Sequence, residues 1–126
     1  MGVEYPSLVI AARKSYLRDS QDVALRYLQA VAEGIHIFKT DKEEAIKVMA
    51  KFTKVADRKI LENTYADNSE VHSPTMEPTA SGIKSVLETM AATNPKAASA
   101  RPEDFIDSRL VKKLEDGGFF KKLTGK

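Results

Sequence analysis

The sequence predicts a predominantly α-helical chain with one N-terminal strand and about five helices. Its 126 residues leave room for one domain with a modest core. Apolar residues recur with helical spacing along most of the chain, whereas Leu8–Ala12 is apolar without alternation. An unbroken apolar run is typical of a strand covered on both faces in a parallel sheet, and the chain offers almost no other strand. The sequence therefore predicts a partial domain shaped to lie against further protein.

Local signals place the predicted elements in order. These are a strand over residues 7–12 and helices over 21–39, 41–52, 57–66, 79–93 and 102–116. Ser20 or Asp19 can cap the first helix, because a short polar side chain accepts hydrogen bonds from the free amides of a first turn. Thr40 with Glu43 forms a capping box for the second helix, and Asp57 can cap the third.

The helix over 21–39 is apolar around most of its circumference. A central stripe contains Ala24, Leu28, Val31, Ile35 and Phe38, and it is widened by Val23, Leu25, Tyr27 and Ala32. The polar strip is narrow and contains Arg26, Gln29, Glu33 and His36. This pattern predicts neighbours on most sides of the helix, including the N-terminal strand. Gly34 costs about 1 kcal/mol relative to alanine inside a helix, so it predicts close approach by another backbone.

Composition excludes several functional classes. The 42% hydrophobic and 30% charged residues are typical of globular proteins, and the net charge of +2 is not clustered as nucleic-acid binding requires. The absence of cysteine removes disulfides, thiol catalysis and cysteine-based metal sites. The N-terminal apolar run is too short for a signal peptide, and no run is long enough to span a bilayer.

Individual residues give little support for catalysis. His36 and His72 lack the ligand spacing of a zinc site and are predicted to be solvent-exposed. Glu43-Glu44 and Glu103-Asp104 lie where first helical turns are predicted, and the helix dipole accounts for acidic residues there. The sequence contains neither a nucleophile elbow nor a phosphate-binding glycine loop. It therefore predicts a non-enzymatic protein with no cofactor and no metal.

Four stretches together resemble one transport family. They are YPSLVIAARKSYLRDSQDVALRYLQAVAEGIHIFKTDKEEAIKVMAKFTK, DRKILENTY, GIKSVLETMAATNPKA and RPEDFIDSRLVKKLEDGGFFKKL. In order and spacing they look like the C-terminal part of the substrate-binding proteins of ABC importers for nitrate, sulfonate and taurine, which are related to thiamine-pyrimidine-synthase-like domains. The chain departs from this family at Gln21, where proline is common, and around residues 66–78, which are more polar than expected.

The resemblance implies a fold and a role. The family has two α/β lobes of the type 2 periplasmic binding protein kind, with a solute in the cleft between them and hinge closure. This chain would supply the final strand and its helices, with Tyr5 and Ser7 as candidates bordering the hinge or cleft. The implied partners are a small organic or anionic solute and an ABC permease, and the implied location is periplasmic or extracytoplasmic. The apolar surface leaves a second hypothesis open, a free-standing helical module that forms a homodimer or binds a partner.

Overall fold

Helices make up most of the described part of the chain. The computed structural model describes residues 5, 6, 8–72 and 76–125, and within them eight α-helices and one 3₁₀ helix form. The α-helices are α1 (Lys14–Asp19), α2 (Gln21–Thr40), α3 (Lys42–Thr53), α4 (Arg58–Ser69), α5 (Ala80–Ala91), α6 (Pro95–Ala98), α7 (Arg109–Asp116) and α8 (Phe119–Thr124), and the 3₁₀ helix is Pro102–Phe105. The predominantly helical class that the sequence predicts is confirmed.

The predicted N-terminal strand is wrong. Residue 7 lies outside the described residues, and residues 8–12 belong to no strand or helix. A strand needs a neighbour to receive its backbone hydrogen bonds, and no other strand forms in the described part of the chain. The run is not covered either, because Leu8, Val9 and Ile10 are 72%, 59% and 49% exposed.

The described residues pack in two compact units. The first unit comprises the ranges Met1–Gln21 and Glu77–Arg109, and the second comprises Asp22–Met76 and Leu110–Lys126. In the first unit, α5 packs against both α6 and the 3₁₀ helix. In the second unit, α3 packs against α4. Each unit draws on two separate stretches of the chain.

The core of the second unit is built from small and medium-sized apolar side chains. Its buried residues come from four helices: Ala24 and Ala32 in α2, Ala45 and Ile46 in α3, Leu61 in α4, and Leu110, Val111 and Leu114 in α7. The central stripe predicted for α2 is buried or half-buried along its whole length. Among the described residues no polar or charged side chain is buried, so packing rather than ion pairing holds this unit together.

Aspartate side chains set the starts of α3 and α4. Asp57 accepts hydrogen bonds from the amides of Lys59 and Ile60, which confirms the predicted cap of α4. At α3 the cap is Asp41, whose Oδ1 accepts from the Glu44 amide at 3.0 Å. The predicted capping box based on Thr40 does not form, because the Thr40 hydroxyl instead donates to the His36 carbonyl and extends α2.

The helix predicted over residues 102–116 is interrupted. Pro102–Phe105 forms only a 3₁₀ turn, and Ile106 is extended with φ −107° and ψ 128°. Asp107 then accepts hydrogen bonds from both the backbone amide and the guanidinium of Arg109, where α7 begins. The aspartate thus provides a new helix start that competes with continuation from Pro102.

Replacing a helical glycine by alanine is expected to change the stability of the chain in opposite directions at Gly34 and Gly82. A methyl group at Gly82 in α5 would lie 3.0 Å from Thr79 Oγ1 and 3.2 Å from Cδ of Pro6. One at Gly34 in α2 would meet no described atom within 4 Å, apart from the neighbours and backbone of its own helix, so the close approach predicted there is not found. We expect Gly34→Ala to stabilise the chain by about 1 kcal/mol, the ordinary helical preference for alanine.

Gly82→Ala should lack this gain and should destabilise the chain by about 1 kcal/mol, because overpacking costs more than helical preference supplies. The two variants carry the same chemical change in two helices, so each is the control for the other. Urea denaturation of both measures the difference. Equal stabilisation by the two substitutions would contradict the contact between Pro6 and α5.

Candidate functional site

Of the two residues predicted to border a cleft, Tyr5 lies within the described structure. Tyr5 is exposed and lies outside any helix or strand, and Ser7 lies outside the described residues. Between them, Pro6 is half-buried near Gly82 at the first turn of α5. This contact holds Pro6 against α5 within the first unit. The side chains of Leu8, Val9 and Ile10, which follow, remain in solvent.

An arginine joins the first turns of α3 and α4 in the second unit. Arg58 Nη2 lies 2.6 Å from Glu43 Oε1, and Arg58 Nε lies 2.9 Å from Glu62 Oε1. The hydrogen bond and charge of Arg58 lower the pKa of the Glu43 carboxyl, and the two carboxylates raise the pKa of Arg58. Because both carboxylates already accept from the guanidinium, the arrangement is an ion-pair network rather than an anion-binding site.

An open groove of about 340 Å³ lies beside this arginine. We call it the Arg58 groove, and it is lined by Asp41, Glu43, Glu44, Ile46, Lys47, Ala50 and Arg58. Its acidic residues belong to the first turn of α3, where they complement the helix dipole, and Lys47 pairs with Glu44 at 3.0 Å. The lining of the groove contains no serine, threonine, cysteine or histidine, so it offers no hydroxyl or thiol nucleophile paired with an imidazole base.

Three carboxyl groups are expected to make the stability of the chain sensitive to acid. Arg58, Arg101 and Arg109 lower the pKa values of Glu43, Asp104 and Asp107 respectively, in each case mainly through a side-chain hydrogen bond. A carboxyl whose pKa is lower in the folded state stabilises the fold above its unfolded pKa, and this contribution is lost as the pH falls through the folded value.

We therefore expect the free energy of unfolding to decrease as the pH falls below about 4, the usual range of unfolded carboxyl groups. Urea denaturation between neutral and strongly acidic pH measures the effect. Glu43→Gln should make the decrease shallower, and Arg58→Gln should have a similar effect because it breaks the same pair. If combining the two substitutions produced the full sum of their separate effects, the pair would not be coupled.

A cluster of one lysine and three aromatic rings joins the C-terminal ends of α2 and α4. Lys39 Nζ donates to the Ser69 and His72 carbonyl oxygens, at 2.9 Å each. The Phe38 ring lies 5.1 Å from that of Tyr65 and 5.6 Å from that of His72, measured between centroids. The ammonium satisfies the Ser69 carbonyl, which the end of α4 leaves without a helical partner, and also the His72 carbonyl in the turn that follows. The aromatic rings pack beside it.

This cluster was missed by the sequence interpretation and corrects one part of it. The only sequence signal was the adjacency of Phe38 and Lys39 at the end of an apolar helix, which does not identify a partner 30 residues away. His36 and His72 are both half-buried rather than exposed as predicted. Among the described residues, no group of three or more histidine, aspartate or glutamate side chains is arranged to hold a metal ion.

The first unit contains a larger and more apolar groove, of about 410 Å³. It is lined by Lys84, Leu87, Glu88, Ala91, Ala97, Ala98, Ala100 and Pro102. Its polar groups are Lys84 and Glu88, which form an exposed pair at 3.8 Å. Four alanines line most of the rest of the groove, so Lys84 and Glu88 are the side chains in its lining that can form hydrogen bonds.

Comparisons with known proteins add no relative. The chain has no significant match among models of protein families, among curated proteins or among solved structures. Within the described residues, no helix combines the length and hydrophobicity needed to cross a lipid bilayer. The functional proposals therefore depend on the residues themselves and on the surfaces they leave exposed.

Proposed function

We propose that this chain is the C-terminal part of an extracytoplasmic solute-binding protein of an ABC importer. In the complete protein it would take part in binding a small organic or anionic solute of the nitrate, sulfonate or taurine kind, without catalysis. The observation that carries the proposal is the exposure of Leu8, Val9 and Ile10. These residues stand where the resemblance implies the final buried strand of a lobe.

Leaving Leu8, Val9 and Ile10 in water forgoes free energy that burial against other protein would provide. Fully burying an aliphatic side chain of this size stabilises a protein by about 1.5–3 kcal/mol relative to leaving it in water. Three in succession, without the alternation of a half-exposed strand, fit a position between two layers of an α/β lobe. The rest of the binding protein would supply the cover for these side chains.

The resemblance also supplies the partners of the complete protein. A solute would bind between the two lobes, with Tyr5 and Ser7 near the border of the cleft, and the closed protein would dock on an ABC permease. The location would be periplasmic or extracytoplasmic. Neither groove is lined by serine, threonine, cysteine or histidine, and no catalytic residue is assigned to this chain.

A chimera tests the proposal. This chain would replace the corresponding C-terminal segment of a taurine-binding protein of an ABC importer, and hydrogen exchange would be measured at residues 8–12. We expect these amides to exchange rapidly in the isolated chain and to become protected in the chimera, which should also be stabilised by taurine.

Val9→Asp is the matched variant for this experiment. Because Val9 is exposed, the substitution should change the stability of the isolated chain by no more than about 0.5 kcal/mol. In the chimera it would bury a charge and should cost several kcal/mol. A chimera that folds while residues 8–12 stay unprotected, or that tolerates Val9→Asp, would count against the proposal.

A second candidate function is a helical module that binds another protein surface. It is favoured by one observation, the exposure of apolar residues along the full length of α2. This face belongs to the second unit, whereas Leu8–Ile10 belongs to the first, so the two surfaces can have different occupants.

A further inference from the structure

One face of α2 is apolar, exposed and continuous. Five residues on it, here named the outer stripe, are Val23, Tyr27, Ala30, Gly34 and Ile37. All are exposed, with values of 43% for Val23, 56% for Tyr27 and 48% for Ile37. The sequence pattern assigned Val23 and Tyr27 to the margins of the core, but the core of the second unit uses a different face of the helix. The outer stripe is therefore apolar surface for which the described structure provides no cover.

The spacing of the outer stripe is that of a helix–helix seam. Its positions are separated by four, three, four and three residues, which is the alternation of a heptad repeat. At 100° per residue they fall within an arc of about 80°, and they extend about 21 Å along the helix axis. A seam of this length and width fits a second α-helix lying nearly parallel or antiparallel to α2.

The second unit leaves room for such a helix. The buried and half-buried side chains of α2, including Ala24, Leu28 and Ile35, are centred about 150° around the helix from the outer stripe. A helix placed on the stripe would therefore approach from a direction well away from the packed side. On the opposite border of the stripe lie two exposed charged residues, Arg26 and Glu33.

The outer stripe is complementary to the same stripe of a second copy that runs in the opposite direction, with Ala30 at the centre of the pair. In an antiparallel pair centred there, Tyr27 of one copy lies opposite Gly34 of the other, so the largest side chain meets the position without one. Val23 lies opposite Ile37, and Ala30 faces its own copy. The glycine has open space where its side chain would be, which leaves room for the tyrosine ring.

The charged residues beside the outer stripe fit the same antiparallel pairing about Ala30. Arg26 and Glu33 lie on the same border of the stripe and nearly equidistant from Ala30, so an antiparallel pair places each arginine beside the glutamate of the other copy. A parallel two-fold pair would place the charged borders of the two copies on opposite sides of the seam, so Arg26 and Glu33 would not meet. Arg26 contacts Asp22 in its own helix at 3.4 Å, an exposed and long interaction that leaves the guanidinium free to reorient.

We infer that α2 is a self-association surface that pairs antiparallel with α2 of a second copy of this chain. Both the size pattern and the charge pattern are satisfied by the same two-fold axis, which is the signature of an isologous interface. The inference uses only the second unit, so it stands independently of the solute-binding proposal. The second copy of the chain is also the protein surface that the second candidate function requires.

The pairing should be weak. A single helix face buries less area than the 1,200–2,000 Å² typical of stable complexes, so we expect a reversible dimer that dissociates in the micromolar range. Sedimentation equilibrium of the whole chain between about 5 and 500 µM would detect it. A monomer at every concentration would overturn the inference.

Cysteine cross-linking fixes the geometry, because the chain has no cysteine of its own. Ala30→Cys should form a disulfide-linked dimer on oxidation, whereas Lys47→Cys, on the exposed side of α3, is the control. A mixture of Val23→Cys and Ile37→Cys should give the mixed dimer in preference to either homodimer. Homodimers of the two variants in that mixture, or equal cross-linking by the control, would overturn antiparallel pairing.

Charge exchange supplies a test that does not depend on disulfides. Arg26→Glu places two carboxylates together at each end of the pair and should weaken dimerisation about tenfold. The double variant Arg26→Glu with Glu33→Arg exchanges the charges and should restore the affinity. Thermal melts of the variants at low concentration check that the monomers remain folded. If the single variant has no effect, or the double variant fails to recover affinity while folded, the charge pairing is wrong.

Discussion

Leu61→Ala is expected to lower the free energy of unfolding by about 3 kcal/mol, because it leaves a cavity in the core of the second unit. Leu61 is 4% exposed and is the one buried residue of α4. Urea denaturation followed by far-ultraviolet circular dichroism measures the loss. A cost of this size is a large part of the total stability of a small domain.

The neighbouring residue provides the control for this prediction. Ile60 belongs to the same helix but is 54% exposed, so Ile60→Ala should cost no more than about 0.5 kcal/mol. Each substitution removes the same number of carbon atoms, so burial is the main difference between them. Similar costs at the two positions would show that α4 packs through a different face.

Ala32→Glu is expected to cost about 4 kcal/mol or more, because it forces a charged side chain into a buried position on α2. Ala32 is buried in the core of the second unit and has no neighbouring polar group that is itself buried among the described residues. Loss of the cooperative thermal transition at neutral pH is the result that we expect.

Ala30→Glu is the matched control, since it makes the same change two residues away on the same helix. Ala30 is exposed, so the substitution should leave the stability of the monomer within about 0.5 kcal/mol of the parent chain. It should nevertheless prevent dimerisation, because Ala30 faces its own copy at the proposed axis. If Ala32→Glu were as harmless as Ala30→Glu, the orientation of α2 would be wrong.

The features that the sequence predicted well depend on short-range interactions. Asp57 caps α4 through amides only two and three residues away, so the signal and its effect lie in one turn. The central stripe of α2 was predicted because helical periodicity places its residues on one face whatever they pack against. Asp41 was not identified as the cap of α3, because Thr40 beside it fits the same pattern equally well.

The features that were not predicted depend on partners distant in the sequence. The run Leu8–Ala12 has the composition of a buried strand, but composition cannot supply the neighbouring strand that would hold it. Lys39 contacts carbonyl oxygens 30 and 33 residues away, which no periodicity encodes. The same limit applies to the candidate site: Tyr5 was identified through a family resemblance, which brings no geometry to the side chains around it.

The exposed aliphatic segment has a consequence for the life of the chain in a cell. Chaperones and proteases of the quality-control system recognise short hydrophobic stretches that folded proteins normally hide. In this chain such a stretch, Leu8–Ile10, remains accessible after the helices have formed. Surface of this kind is also where partly folded chains aggregate, so we expect a protein that covered Leu8–Ile10 to raise the solubility of the chain.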